Sequence, residues 1–321
     1  MNRVGPLVSF IIATYNRAGY IYDAVNSIFK QKYNNVEVIV IDDCSSDDTS
    51  GVLKKSFDHK VIYYRNPKNM GPAFSRNIGL DFAKGKYIGL LDSDDILYDE
   101  NHIQIAVDML EKDKDISIFC CDFYIIDREG RILNKYSPQL DSIDYIDFPL
   151  TSEKRDFCGL FLRGVHSCGA ILRRSTIDIV GKMDERYRIG WDGEYFLRFL
   201  GKSGSCLYYY HRPLTGYRKV SDSLSTNLIK MYSEKVSFYK QIIKDFPFLK
   251  EKLGWKVKKR FTLQIVSLSD AYKLKGRYAQ AALTVIKAIL CYPPILKFYC
   301  FSLLGIFFRG FRSKKSLLLK I

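Results

Sequence analysis

The sequence of 321 residues lacks the patterns of several common ligand sites. Its four histidines are dispersed and, of its eight cysteines, Cys120 and Cys121 form the only close pair, so we expect reduced, mostly buried thiols and no zinc site. The turn after the first apolar run, residues 13–17, contains no glycine. This absence excludes a dinucleotide-binding fingerprint and a phosphate-binding loop. If the chain binds phosphates, a metal ion and cationic side chains must hold them.

Acidic residues are scarce in the C-terminal part of the chain. From Lys250 onwards there are sixteen Lys and Arg residues but two acids, Glu251 and Asp270, so this segment carries +14 of the total net charge of +15. A basic, apolar segment on a nearly neutral body predicts an anionic partner. Its long aliphatic runs lack interleaved aromatic platforms for base stacking. They therefore favour an anionic membrane surface and disfavour nucleic acid.

The chain also lacks an apolar run long enough to span a bilayer. Residues 281–290 and 295–308 are largely apolar, but Lys297 interrupts the second run, and both are shorter than the ~20 residues of a spanning helix. They form either interfacial helices flanked by Lys and Arg or a helical pair packed on the body. The two interpretations are compatible, because one helix face can pack while the other meets lipid. Since no signal-peptide pattern follows residues 7–13, we expect a cytoplasmic protein bound peripherally to the inner face of the cell membrane.

The first 120 residues alternate between strand and helix patterns. Continuous apolar runs predict buried strands at residues 7–13, 36–41 and 86–91, and further strands are expected at residues 60–65 and, later in the chain, at residues 117–127, 167–172 and 205–210. Amphipathic patterns predict helices at residues 20–31 and 71–84. This order predicts an α/β fold, Rossmann-like, with a mostly parallel sheet and helices on both faces, in which ligands bind beyond the carboxyl ends of the strands. From about Met231 the pattern is helical, so we expect one domain over residues 1–230 and a helical region over residues 231–321.

The strongest chemical signal is Leu91-Asp92-Ser93-Asp94-Asp95, which directly follows a predicted buried strand. Asp92 and Asp94 are two residues apart, so their side chains point to the same side of an extended chain. Two carboxylates held that close repel unless a proton or a cation lies between them, and a hard divalent cation satisfies both. The alternative is a solvated turn in which Asp95 is the N-cap of a helix. Polar residues also follow the first and second strands: Tyr15 could stack on a base, and Asp43 could accept a hydrogen bond from a base imide.

Four blocks, at residues 8–17, 38–49, 69–79 and 91–95, resemble in order and spacing the family-two inverting glycosyltransferases of the GT-A fold. The resemblance implies a nucleotide-diphosphate sugar as donor. It implies that Tyr15, Asp43 and the backbone of Ala13 hold the base. It further implies that Arg76 lies near the nucleotide or its phosphates, that Asp92 contacts the ribose or the metal, and that Asp94 ligates Mn²⁺ or Mg²⁺.

Residues 190–198 resemble the family's acidic helix start, where two acids, one further residue and another acid usually follow one another. Trp191 stands in the place of the first acid. Asp192 is then the candidate base for the acceptor hydroxyl, with Glu194 second, although both acids would also favour a helix N-terminus. Trp191 could instead stack on a sugar of the acceptor.

Residues 217–225 resemble the loop that closes over the donor diphosphate. The resemblance implies Arg218 as the cation of this loop, with Lys219 second. Many relatives carry a histidine two positions after the arginine, where this chain has Val220. The resemblance therefore provides no third metal ligand from this loop.

The sequence predicts a metal-dependent, inverting hexosyl- or N-acetylhexosaminyltransferase. The expected donor is a UDP-sugar, and the expected acceptor is a hydroxyl of a glycan or a lipid-linked acceptor in surface polysaccharide biosynthesis. One alternative is a nucleotidyltransferase, which cleaves between phosphates, but the chain lacks a glycine- and arginine-rich phosphate loop near its start. The other is a non-catalytic, membrane-associated scaffold of the same fold. The acidic sites at Asp43, at Asp92 and Asp94, and at Asp192 and Glu194 are all intact, which argues against a scaffold.

Overall fold

The structure is a computed structural model that describes residues 5–136, 153–163, 165–220, 223 and 226–295. The chain divides into two compact units, with the division near residue 224. The first unit contains the β-sheet, and the second is helical.

A single mixed sheet forms the centre of the first unit, and the described residues contribute ten strands to it. These strands are β1 (Val8–Thr14), β2 (Val36–Asp42), β3 (Val61–Arg65), β4 (Tyr87–Leu90), β5 (Ile96–Leu97), β6 (Ile116–Ile126), β7 (Ile132–Tyr136), β8 (Glu153–Arg155), β9 (Ala170–Arg173) and β10 (Cys206–Arg218). The helices are α1 (Ile21–Phe29), α2 (Thr49–Phe57), α3 (Pro72–Phe82), α4 (His102–Lys112), α5 (Phe157–Arg163), α6 (Arg174–Val180) and α7 (Trp191–Ser203).

The strand order is β3-β2-β1-β4-β9-β6-β10-β5, with β7 beside β6 and β8 beside β10. β3, β2, β1 and β4 run parallel to one another, and β6 runs parallel to β10. β9 is antiparallel to both of its neighbours, and the edge strand β5 is antiparallel to β10. The predicted α/β fold with a mostly parallel sheet is confirmed.

Apolar side chains on the two faces of β1 attach helices to the sheet. Phe10 and Ile12 are fully buried in one cluster with Val25 and Ile28 of α1. On the opposite face, α3 approaches so closely that a Cβ at Gly79 would lie 2.4 Å from Cγ2 of Ile11. Glycine at this position allows the close contact between helix and strand.

The register of the parallel strands brings their carboxyl ends to one edge of the sheet. Thr14 of β1 lies opposite Asp42 of β2, and Ile11 of β1 lies opposite Leu90 of β4. The segments that follow β1, β2 and β4 therefore emerge side by side. This edge is where we predicted the ligand site.

β10 is longer than predicted. The apolar pattern indicated a strand over residues 205–210, whereas the strand continues to Arg218 beside β6. Its register shifts between Tyr210 and Pro213 and again between Pro213 and Thr215. Such irregularities accommodate a proline, which cannot donate a ladder hydrogen bond.

The second unit is a helical assembly. Its described helices are α8 (Leu228–Asp245), α9 (Phe248–Leu253), α10 (Trp255–Leu274) and α11 (Tyr278–Cys291). α10 packs against α8 and α11, with Ile265, Val266 and Ala288 at the centre of an apolar cluster. The predicted helical C-terminal region is present. The predicted domain boundary, after residue 230, falls inside α8. Because the whole of α8 belongs to the second unit, we expect the domain boundary before this helix.

Across the described ranges, every helix is too short or too polar to cross a membrane. The first apolar run, residues 281–290, lies within α11. The second run lies outside the described residues from residue 296 onwards.

Candidate active site

The turn after β4 presents two carboxylates, each paired with an arginine. Asp92 accepts a hydrogen bond from Arg76 of α3. Asp94 accepts a hydrogen bond from Nε of Arg17 at 3.2 Å, and both side chains of this pair are largely buried. The turn thus joins the segment after β1 to α3.

Negative charge accumulates in this turn. Burial raises the pKa of Asp94, and the charge of Asp92 raises it further, while Arg17 acts in the opposite direction. Burial also raises the pKa of Asp95 well above its usual range, and the charges of Asp94 and Asp92 add to the effect. The surrounding groups therefore do not fully compensate these carboxylates.

Asp95 is not a helix N-cap, contrary to the alternative interpretation. It is buried, and its Oδ1 accepts a hydrogen bond from the backbone N–H of Arg218 at 2.9 Å. The next helix, α4, begins only at His102, with Asn101 as its N-cap residue. Asp95 therefore connects the acidic turn to the end of β10.

Arg76 connects the acidic turn to α7. Its guanidinium lies over the indole of Trp191, with 4.0 Å between Cζ and the ring centroid. Trp191 is buried, so its ring is not available to stack on an acceptor sugar, as the sequence suggested it could. The contact places the N-terminus of α7 beside the carboxylate of Asp92.

The two acids of α7 have different surroundings. Asp192 is half-exposed, and its Oδ1 accepts a hydrogen bond from the N–H of Gly193. Glu194 is buried and pairs with Arg198 at 2.6 Å, and its burial raises its pKa. Asp192 is therefore the more accessible of the two candidate bases.

The residues expected to hold the base lie beyond β1 and β2. Tyr15 is exposed and directly follows β1, in which Ala13 is paired with Ile41. Asp43 is buried: its Oδ1 accepts hydrogen bonds from Asn66 and from the N–H of Met70, and its Oδ2 accepts one from the N–H of Gly71. Gly71, with φ of 97°, has a backbone conformation that favours glycine. Asp43 thus holds the loop before α3, and its Oδ2 retains one lone pair for a further donor.

Arg218, the cation that the resemblance assigns to the diphosphate, is buried at the end of β10 and contacts the acidic turn. Its side chain is 1% exposed, and it donates hydrogen bonds to the carbonyl oxygens of Asp94, Asp127 and Arg128 and to the carboxylate of Asp23 in α1. All three guanidinium nitrogens are therefore used inside the protein. In this structure Arg218 fixes the acidic turn, whereas the neighbouring Lys219 is exposed.

Two contributors to this site did not emerge from the sequence. Arg17, at the end of the first block, pairs with Asp94, and Asp23 pairs with Arg218. The position of Arg17 two residues after Tyr15 was a usable signal. Asp23 offered none, because an acid in the first turn of a helix is common for reasons of helix electrostatics.

The acidic pair fits a divalent cation in its chemistry. Carboxylate oxygens are preferred ligands of Mg²⁺ and Mn²⁺. Burial raises the pKa values of Asp94 and Asp95, and the neighbouring carboxylates raise them further, so a bound cation would stabilise the charged forms. Among the described residues, no three His, Cys, Asp or Glu side chains form a metal-binding group. Further ligands would therefore have to come from a bound substrate and from water.

A mostly parallel sheet with an acidic turn beyond its fourth strand defines the class of glycosyltransferases with the GT-A fold. The family model described as "Glycosyl transferase family 2" matches residues 9–179, which is more than half of the sequence. The chain belongs to glycosyl transferase family 2.

Comparison with known proteins agrees with this assignment. An uncharacterised glycosyltransferase of Rickettsia typhi is 30% identical over 232 residues, which cover 70% of this chain and 68% of the relative. The Escherichia coli enzyme WfaP, named UDP-Glc:alpha-D-GlcNAc-diphosphoundecaprenol beta-1,3-glucosyltransferase, is 47% identical over 89 residues, 28% of this chain and 36% of WfaP. The mannosyltransferase PcManGT from Pyrobaculum calidifontis, solved with GDP-Man and Mn²⁺, has a TM-score of 0.60 at 17% identity and covers 97% of this chain and 88% of its own. This structural likeness shows the fold alone.

Proposed function

We propose that the chain is a metal-dependent, inverting hexosyl- or N-acetylhexosaminyltransferase whose donor is a nucleotide-diphosphate sugar, with a UDP-sugar expected. The observation that carries the proposal is the contact between Trp191 and Arg76, because Arg76 also bonds Asp92. Through this contact the half-exposed Asp192 lies next to the turn that would hold the donor. A direct displacement needs a base and a donor site side by side.

The nucleotide would lie at the edge formed by β1 and β2. The exposed ring of Tyr15 is suited to stacking on the base. The remaining lone pair on Oδ2 of Asp43 is suited to accepting the imide N–H of uracil, with the backbone of Ala13 nearby. WfaP, by its name, uses UDP-Glc, whereas PcManGT was solved with GDP-Man; the expectation of UDP therefore rests on the relative by sequence.

The phosphates would lie beside the acidic turn. Asp94, together with Asp92, would hold Mn²⁺ or Mg²⁺, and such an ion, when bound, stabilises the negative charge of the leaving diphosphate. The guanidinium groups of Arg17 and Arg76 add positive charge at the same place. The resemblance assigns Arg218 to the diphosphate. Its contact instead suits a positioning role, in which its guanidinium holds the backbone carbonyl of Asp94 in place.

Asp192 is the proposed base. Inversion is a single in-line displacement, in which the acceptor oxygen bonds to the anomeric carbon as the bond from that carbon to the diphosphate oxygen breaks. The proton of the acceptor hydroxyl passes to the carboxylate of Asp192. Glu194 is less suited to this role, because Arg198 already pairs with its buried carboxylate.

The acceptor and the location are proposed by analogy. WfaP is named for an acceptor linked to diphosphoundecaprenol, which is a membrane lipid. Together with the basic C-terminal segment, this analogy supports a lipid-linked acceptor, surface polysaccharide biosynthesis, and peripheral attachment to the inner face of the cell membrane.

The sharpest test compares Asp192→Asn with Glu194→Gln. We expect Asp192→Asn to keep donor affinity but to lower kcat by at least about 100-fold, since a general base contributes on that order. Glu194→Gln should keep most of the transfer. Transfer is followed by mass spectrometry with UDP-, GDP- and dTDP-sugars, with Mn²⁺ and after chelation. Donor binding is followed by the rise in melting temperature.

The possible results separate the candidate functions. Near-normal transfer by Asp192→Asn would refute the assignment of the base. Cleavage between the phosphates that depends on added pyrophosphate, with formation of a nucleoside triphosphate and a sugar 1-phosphate, would indicate a nucleotidyltransferase. A folded sample that shows neither transfer nor a melting shift with any donor would indicate the scaffold.

A further inference from the structure

α11 is apolar on two opposite faces. Its inward face, with Ala281, Val285 and Ala288, is buried in the second unit. Its outward face carries Leu283, Ile286 and Leu290, which are 61%, 50% and 77% exposed. These three residues are spaced at roughly one helical turn and form a stripe along the helix. Exposed stripes of large apolar side chains are unusual on soluble proteins and mark contact surfaces.

Aromatic residues adjoin the stripe at the C-terminal end of α11. Trp255, at the start of α10, is 55% exposed and stacks on Tyr292, with 6.2 Å between ring centroids and 9° between planes. The Nζ atom of Lys259 lies 5.7 Å from the ring of Trp255. Trp and Tyr side chains with neighbouring lysines are typical of the boundary between lipid tails and headgroups.

The charge around the stripe is strongly positive. From Phe248 to Cys291, α9, α10, α11 and their connections contain ten Lys and Arg residues and two acids. The exposed cations include Lys256, Lys258, Lys275, Arg277 and Lys287. The chain that follows α11, from residue 296 onwards, is apolar and basic in sequence and contains no acid. An apolar stripe within such a charge distribution complements an anionic lipid surface.

We propose that the outward face of α11, together with Trp255 and the surrounding lysines and arginines, docks on the surface of an anionic lipid bilayer. The proposal deepens the proposed function, on which it rests for a lipid-linked acceptor. With 14 residues, α11 is too short to span a bilayer, so it lies in the plane of the interface while its inward face stays packed on α10. This geometry holds the second unit at the membrane surface.

Binding of the full-length protein to vesicles tests the proposal. Vesicles of phosphatidylglycerol and phosphatidylcholine are compared with vesicles of phosphatidylcholine alone, by co-sedimentation. We expect binding to the anionic vesicles that weakens with salt. A variant with Leu283→Ser, Ile286→Ser and Leu290→Ser should bind about tenfold more weakly or worse, because apolar burial is lost. The matched control is Ile132→Ser, Leu133→Ser and Ile179→Ser, which changes exposed apolar residues of the first unit and should bind normally.

A second measurement uses the fluorescence emission of Trp255 to detect contact with lipid. In the Trp191→Phe protein, Trp255 is the only remaining tryptophan. Its emission should shift to shorter wavelength with anionic vesicles. Lys256→Glu with Lys258→Glu should abolish this shift without changing an apolar residue.

Three outcomes would overturn the proposal. The first is normal binding by the α11 variant, and the second is equal binding to neutral and anionic vesicles. The third is a dimer in solution that the α11 variant dissociates, which would identify a second copy as the occupant. A donor-dependent melting shift that persists in the α11 variant shows that the glycosyltransferase proposal stands even if vesicle binding fails.

Discussion

At the scale of single residues, the indole of Trp191 determines how Arg76 is held. The guanidinium stacks on this ring and bonds Asp92 at the same time, so its orientation is fixed from two sides. An acid at position 191, as the family pattern would place there, would compete with Asp92 for the guanidinium. The indole contributes no such competition. Trp191 is therefore a positioning residue for Arg76 and, through it, for Asp92.

Substitution of Trp191 should weaken donor binding according to what replaces the ring. Stacking of arginine on tryptophan is worth roughly 1 kcal/mol, so we expect Trp191→Leu to lower donor affinity by about five- to tenfold. Trp191→Phe, which retains an aromatic face, should lose less. Calorimetric titration with donor and Mn²⁺, alongside KM and kcat, measures the effect. Equal losses in the two variants would show that the ring merely fills space.

Sequence patterns identified the acids at the strand ends but not their partners. Asp43, Asp92 and Asp94 follow buried strands, and this local signal is sufficient to predict a cluster at one sheet edge. The pairing of Arg17 with Asp94 joins residues 77 positions apart. Such pairings depend on side-chain packing in three dimensions, which the spacing of residues along the chain does not specify.

At the scale of secondary-structure elements, the central strands were predictable, whereas β5 and the full length of β10 were not. The runs at β1, β2 and β4 are continuously apolar because helices cover the sheet. β5 has two residues, too few to give a pattern. β10 contains Pro213, which normally ends a strand, and the chain continues only because the register shifts there.

Arg218 of β10 should contribute to folding stability more than to phosphate binding. Its buried guanidinium links three carbonyl oxygens and Asp23. Arg218→Met leaves these acceptors without their donor, so we expect a loss of about 3 kcal/mol in the free energy of unfolding. The midpoint of urea unfolding measures this loss.

Lys219→Met is the matched control, because Lys219 is adjacent and exposed. It should change the free energy of unfolding by less than about 0.5 kcal/mol. If Arg218→Met instead kept its stability and lost only donor affinity, the role implied by the family resemblance would be correct and the stabilising role wrong.

At the scale of the whole molecule, charge and chemistry are divided between two units. The C-terminal segment carries nearly all of the net charge, while the acidic turn and the proposed base lie in the first unit. Composition alone predicted this division, because an excess of cations is visible without knowledge of the fold. It did not predict the exposed face of α11, since the inward and outward apolar residues are mixed in one run.

The two tryptophans allow each unit to be observed separately. Trp191 lies in the first unit and Trp255 in the second, so Trp255→Phe and Trp191→Phe each leave a reporter in one unit. If the units unfold independently, donor with Mn²⁺ should raise the melting temperature reported by Trp191 and leave that reported by Trp255 unchanged, because a ligand stabilises only the unit that binds it. Fluorescence-detected melting of the full-length variants measures both temperatures. An equal rise in both melting temperatures would show that the two units unfold as one cooperative body. A rise in the temperature reported by Trp255 alone would place the donor site in the second unit and contradict the proposal.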